Sequence, residues 1–181
     1  MTKISFGVDK SLDIWPSPSV RLCFNSDMAK KTILCAIDFS ESSLQALKWT
    51  MIMAPLYKAK VTFLFCYRLI GDDAGESLAM KRDIETKALN QFHEIEKKYV
   101  KETSVPYQFV VEVGFFSSRI EQFIRKNPVT LLVIGNSMIE NFNEYRNLSF
   151  DQFITTVNVA VIIAPKTIDD FIEVESQLQK T

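Results

Sequence analysis

Five short apolar runs alternating with four stretches of helical periodicity predict a doubly wound, five-stranded parallel α/β sheet. Three observations carry this reading. The runs are apolar throughout instead of alternating with polar residues, the pattern of strands covered on both faces. The chain between successive runs is long enough for a crossover helix, the connection that parallel strands require. No internal repeat divides the chain, so its 181 residues read as one copy of the unit with a sizeable core.

Residues 1–27 stand outside the pattern. Trp15-Pro16-Ser17-Pro18-Ser19 resists both helix and sheet, so the segment reads as an N-terminal extension, mobile or loosely docked. Met28-Ala29-Lys30-Lys31 looks like a natural protein start, and the domain is expected over 28–166. Thr32–Ile37 is the first buried strand. Asp38-Phe39-Ser40 turns the chain, and Ser40 caps a helix with Leu44, Leu47, Met51 and Ala54 at helical spacing. Pro55 marks the expected end of that helix. Val61–Tyr67, rich in β-branched and aromatic residues, is the second strand. A loop with Gly71 and Gly75 leads to a long helix from about Glu76 to Val100, with Ile84, Ala88, Phe92, Ile95 and Tyr99 on one stripe.

Pro106 opens the third strand, which runs through Val113 and breaks at Gly114. Ser118 and Glu121 suggest a capping box for a helix ending near Asn127-Pro128. Thr130–Ile134 is the fourth strand. Ser149 and Gln152 form a second capping box, opening a helix of about two turns. Val159–Ala164 is the fifth strand, closed by Pro165, and 167–181 form a tail.

Composition narrows the function. The apolar fraction of 47% and charged fraction of 24% are ordinary for a globular domain. A net charge of −1 with no lysine/arginine cluster argues against a nucleic-acid footprint. No apolar run reaches the length of a membrane span, and no basic-then-apolar leader opens the chain, so a cytoplasmic protein is expected. Cys23, Cys35 and Cys66 form no CxxC pair and read as reduced thiols, two of them in strand-like runs. The single histidine, His93, lies in a charged helical stretch and reads as a solvated surface residue. Asp72-Asp73 and Asp169-Asp170 lack further ligands at useful spacing, so no metal is expected. No nucleophile–base or paired-carboxylate arrangement stands out, which argues against an enzyme.

The segment Leu131-Leu132-Val133-Ile134-Gly135-Asn136-Ser137 holds the main functional signal. A strand ending on glycine, followed by a helix start at Ser149, is where a βαβ unit holds phosphate on backbone N–H groups. Yet Met138 to Leu148 contains no glycine.

The chain resembles the universal stress protein family over about residues 30–165. The resemblance rests on Lys31-Thr32-Ile33-Leu34-Cys35-Ala36-Ile37-Asp38-Phe39-Ser40-Glu41-Ser42-Ser43, with Ala46-Leu47-Lys48-Trp49 following, and on Val61-Thr62-Phe63-Leu64-Phe65-Cys66. Glu112-Val113-Gly114 and Asn158-Val159-Ala160-Val161-Ile162-Ile163-Ala164-Pro165 add to it. It implies strand order 3-2-1-4-5 and a homodimer paired through the fifth strands, here Val159, Val161 and Ile163. ATP-binding members carry three glycines and a serine or threonine at positions that fall on Gly135, Met138, Leu148 and Ser149. Two of the three glycines are therefore bulky residues, and a Cβ there obstructs both positive φ and the closing of N–H groups on phosphate. Asp38, which faces adenosine in binding members, is kept.

Each candidate also has a plain structural role. Ser149 caps a helix, Gly135 ends a strand and Asp38 serves a turn. Phe150 and Phe153 read as core, and Phe142 as a candidate pocket residue. The expected protein is a non-enzymatic, stress-associated regulatory or interaction module with a degenerate nucleotide loop. The alternative is an adenine-nucleotide binder holding ATP or AMP through Asp38, Cys66, Gly135, Asn136, Ser137 and Ser149. A second alternative is a slow ATP hydrolase of the same fold group, for which Glu140, Glu144 and Asp151 are the only carboxylates near the loop.

Overall fold

The computed structural model describes residues 31–69, 74–101, 103–139 and 149–164. The N-terminal extension, the C-terminal tail, both paired-aspartate segments and the loop holding Phe142 and Leu148 lie outside the described residues. The elements run β1 (Thr32–Ile37), α1 (Glu41–Tyr57), β2 (Lys60–Tyr67), α2 (Ala74–Ile95), a π-helical turn (Glu96–Val100), β3 (Tyr107–Val113), α3 (Phe116–Lys126), β4 (Val129–Gly135), α4 (Phe150–Thr156) and β5 (Ala160–Ala164). The five strands form one parallel sheet in the order β3-β2-β1-β4-β5. The chain winds outward from β1 to β3, then returns to build β4 and β5 on the other side. The gap between the β1 and β4 ends is therefore the switch point where α/β sheets place ligands.

The apolar runs are explained by two cores, one on each face. Ile33, Cys35 and Ile37 of β1 pack with Leu47 of α1 and Phe92 of α2. Leu34 and Ala36 point the other way and pack with Ile120 of α3 and Phe153 of α4. On the first face Phe92 stacks flat on Phe109, ring centroids 4.2 Å apart. No helix among the described residues is long and apolar enough to cross a membrane.

Four local expectations are corrected. Pro55 does not end α1. The helix runs on to Tyr57 and closes at Lys58 (φ 49), whose N–H, like that of Ala59, returns to carbonyls of the last turn. The long second helix is α-helical only to Ile95 and then widens into the π turn. The capping box of Ser118 and Glu121 does not form. Gly114, at φ 141, turns the chain so that α3 begins at Phe116, with Phe115 at the N-cap and no side-chain cap; Glu121 pairs with Arg125 instead. His93 is half-exposed, but its Nδ1 lies 2.8 Å from Oε2 of the buried Glu96, which also accepts from the Tyr107 hydroxyl. Burial opposes charge on Glu96, yet its carboxyl is held below the usual range because the hydrogen bonds from Tyr107 and His93 outweigh it. The π turn thus anchors α2 to the start of β3. The capping box at Ser149 forms with both bonds present.

Candidate functional site

A cavity of about 180 Å³ opens at the C-terminal edge of the sheet. It is lined by Ile37 and Asp38 from β1, Cys66 to Arg68 from β2, Gly114 to Phe116 between β3 and α3, and Met138 after β4. A groove of about 340 Å³ adjoins it over Arg68, Leu69, Val113, Gly114 and Phe115. Asp38 and Cys66 are thus brought to one place. The Asp38 Oδ1 accepts from the Ser40 N–H at 2.9 Å and from the Ser40 hydroxyl at 2.5 Å, a turn held by its own side chain. Between them Phe39 sits at φ 64, a strained conformation for an aromatic residue, with its ring 5.0 Å from Phe65.

On the β4 side the described residues pack closely on one another. Gly135 does not have a positive φ; it is required by close approach. A Cβ there would lie 2.5 Å from the Ser42 Oγ and 2.6 Å from the Ser42 backbone. The next turn, Asn136 to Ile139, is a single 3₁₀ turn in which Asn136 and Ser137 are exposed. The Ser137 N–H donates to the Ser42 Oγ at 3.0 Å, and its hydroxyl lies 3.4 Å from that of Ser40. Met138, the second position of the glycine pattern, is fully buried among Leu34, Ile134 and Phe153. Its side chain turns into the core instead of standing in an open loop.

Ser149 is not brought into the cavity lining. Its hydroxyl accepts from the Gln152 N–H at 3.3 Å, and its own N–H donates to Gln152 Oε1 at 3.0 Å, so the pair completes its cap. Phe153 is core, as expected, and Phe150 packs against it. Both described cysteines are poor nucleophiles. Burial pushes the Cys35 thiol up to about 12, with a lowering hydrogen bond from Thr50. Burial also pushes Cys66 up to about 12, with the Glu112 carboxylate adding and Arg119 opposing.

Sequence reasoning did not single out Ser42, Arg68, Gly114 or Phe115 for this site. The serine run after Asp38 was a visible signal for the ties to Ser137. Nothing local identifies Arg68, whose guanidinium lies 5.2 Å from the Phe115 ring across the end of the sheet.

Fold and edge cavity together define a doubly wound α/β domain with a cavity at the C-terminal edge of its sheet. The sequence model of the universal stress protein family matches residues 30–146, more than half of the chain. The chain belongs to that family. No curated protein matches it. Among solved structures it is similar to universal stress protein UspA from Lactobacillus plantarum, at 18% identity and TM-score 0.58, over 75% of this chain and 97% of that one. A universal stress protein in complex with cAMP matches at 16% identity and TM-score 0.56, over 76% and 98% of the two chains. The universal stress protein from Archaeoglobus fulgidus in complex with dAMP matches at 14% identity and TM-score 0.51, over 76% and 99%. At these identities the likeness carries the fold.

Proposed function

We infer that the protein is a non-enzymatic, stress-associated regulatory or interaction module whose phosphate-binding loop has degenerated. One observation carries this reading: the turn after β4 is tied inward at Ser137 and Met138. Met138 is locked in the core and the Ser137 N–H is engaged by Ser42. A phosphate needs free, converging N–H groups. The chemistry nearby also favours binding over catalysis. Cys66 is held as a thiol. His93 is tied to Glu96, which also accepts from Tyr107 at the start of β3, at the far end of the strands from the cavity. The protein acts in the cytoplasm as a homodimer through β5, whose Ile163 is 43% exposed at the sheet edge.

Calorimetric titration of the purified protein with ATP and AMP tests this. The expected result is weak or absent binding, because two or three lost hydrogen bonds to a charged group, at about 1.5–3 kcal/mol each, weaken affinity by several orders of magnitude. Micromolar ATP affinity overturns it.

A second reading is favoured by the cavity itself. Proteins of this fold are found in complex with cAMP and dAMP, and Asp38 and Cys66 line a cavity at the C-terminal edge of the sheet here. On that reading the protein binds an adenine nucleotide. A slow ATP hydrolase further needs a metal-bearing carboxylate beside the loop. Glu140 and Glu144 lie outside the described residues, and Asp151 is exposed on α4.

A further inference from the structure

We propose that the N-terminal edge of the sheet is a docking surface for the chain's own C-terminal segment, residues 165–181, whose acidic, apolar stretch lies across lysines gathered there. Lys31, Lys58, Lys60 and Lys126 are scattered in sequence, and the topology brings them to one edge. Lys31 immediately precedes β1. Lys60 opens β2, and its N–H donates to the Lys31 carbonyl at 3.1 Å. Lys58 closes α1, and Lys126 ends α3 just before β4 begins. None of the four has an ion-pair partner among the described residues. Cations suit the ends of α1 and α3, where the helix dipole is negative. Lys31 and Lys60 open strands and have no such role. Beside them the end of α1 leaves Leu56 75% and Tyr57 43% exposed, so this edge is apolar as well as basic.

The segment after β5 has the complementary chemistry. Ile168-Asp169-Asp170-Phe171-Ile172-Glu173-Val174-Glu175 interleaves carboxylates with large apolar side chains. Its reach fits as well. β5 is five residues long and ends with Ala164 at the C-terminal edge of the sheet. A return of about five extended residues, roughly 17 Å, therefore brings Asp169 back to the N-terminal edge. The order β2-β1-β4-β5 puts Lys60 three strand spacings from β5, about 14 Å. The stretch from Asp169 to Glu175 is long enough to cross that distance and pass Lys31 on the way. Exposed ion pairs alone contribute little. The contact gains selectivity because Phe171 and Ile172 cover Leu56 and Tyr57 while the carboxylates meet the ammonium groups.

The test is zero-length carbodiimide cross-linking of the full chain, prepared as an equal mixture of isotopically light and heavy protein and read by mass spectrometry. Lys31, Lys58, Lys60 or Lys126 should couple to Asp169, Asp170, Glu173 or Glu175, with both peptides of each pair carrying the same label. Leu56→Asp keeps every lysine and carboxylate, and its melting temperature reports whether it is folded. It should lower the coupling yield about fivefold, through loss of the apolar contact. Pairs of mixed label assign the surface to the tail of a second copy and overturn docking within the chain. No coupling to these lysines, or a yield that Leu56→Asp leaves unchanged, overturns the docking surface itself. Should Leu56→Asp fail to fold, amide spectra decide. Replacing the four carboxylates by amides (D169N, D170N, E173Q and E175Q together) should shift the resonances of Leu56, Tyr57, Lys58 and Lys60, and unmoved resonances there overturn the proposal.

Discussion

Gly135 is the residue on which the two accounts of the site meet. A glycine ending a strand before a polar turn suits a phosphate cradle, yet here the missing side chain is needed by Ser42 of α1. Gly135→Ala should cost about 1–3 kcal/mol, as overpacking does, and lower the melting temperature by roughly 2–4 °C for each of those kcal/mol. An alanine variant as stable as the original shows that the contact does not constrain the position. Asp38 is read the same way: its turn role is real, through two bonds from Ser40 to one carboxylate oxygen. The residue identities alone did not separate these roles, because a close approach depends on which helix lies opposite. The sequence shows the glycine but not its neighbour. Met138 is the same case. Its position in the glycine pattern was legible, while its burial between Leu34 and Phe153 depends on how the turn after β4 points.

At the scale of elements, long apolar runs were legible because two covered faces leave an unbroken signature, and all five strands stand within a residue or two of where the runs place them. Helix ends were less so. The Ser149 cap was readable, since its partner Gln152 is three residues away in sequence. The start of α3 was not, because the positive φ of Gly114 sets it before the Ser118 pattern begins. Ser149→Ala should therefore destabilise the protein by roughly 0.5–2 kcal/mol, measured by chemical denaturation. Unchanged stability with altered ligand affinity would make Ser149 a binding residue instead. The edge strand β5 calls for a different test. Ile163 is exposed, whereas Val161 packs on the core, so Ile163→Lys is the cleaner probe of pairing. It should convert a dimer into a folded monomer by light scattering. A monomer before the change means that another part of the chain, such as the tail beyond Pro165, covers the edge.

For the whole molecule, one face of the sheet is closed by α1 and α2 and the other by α3 and α4, and the crevice between β1 and β4 is where this architecture places a ligand. Among the described residues on its β4 side, Ser137 is tied to Ser42 and Met138 lies in the core, and a cavity lies beside Asp38 on its β2 side. The central claim is that the tied side does not hold a triphosphate. Titrating the purified full chain with ATP in a calorimeter addresses it most directly. The account predicts no saturable binding below the millimolar range, and a micromolar dissociation constant with one site per chain contradicts it.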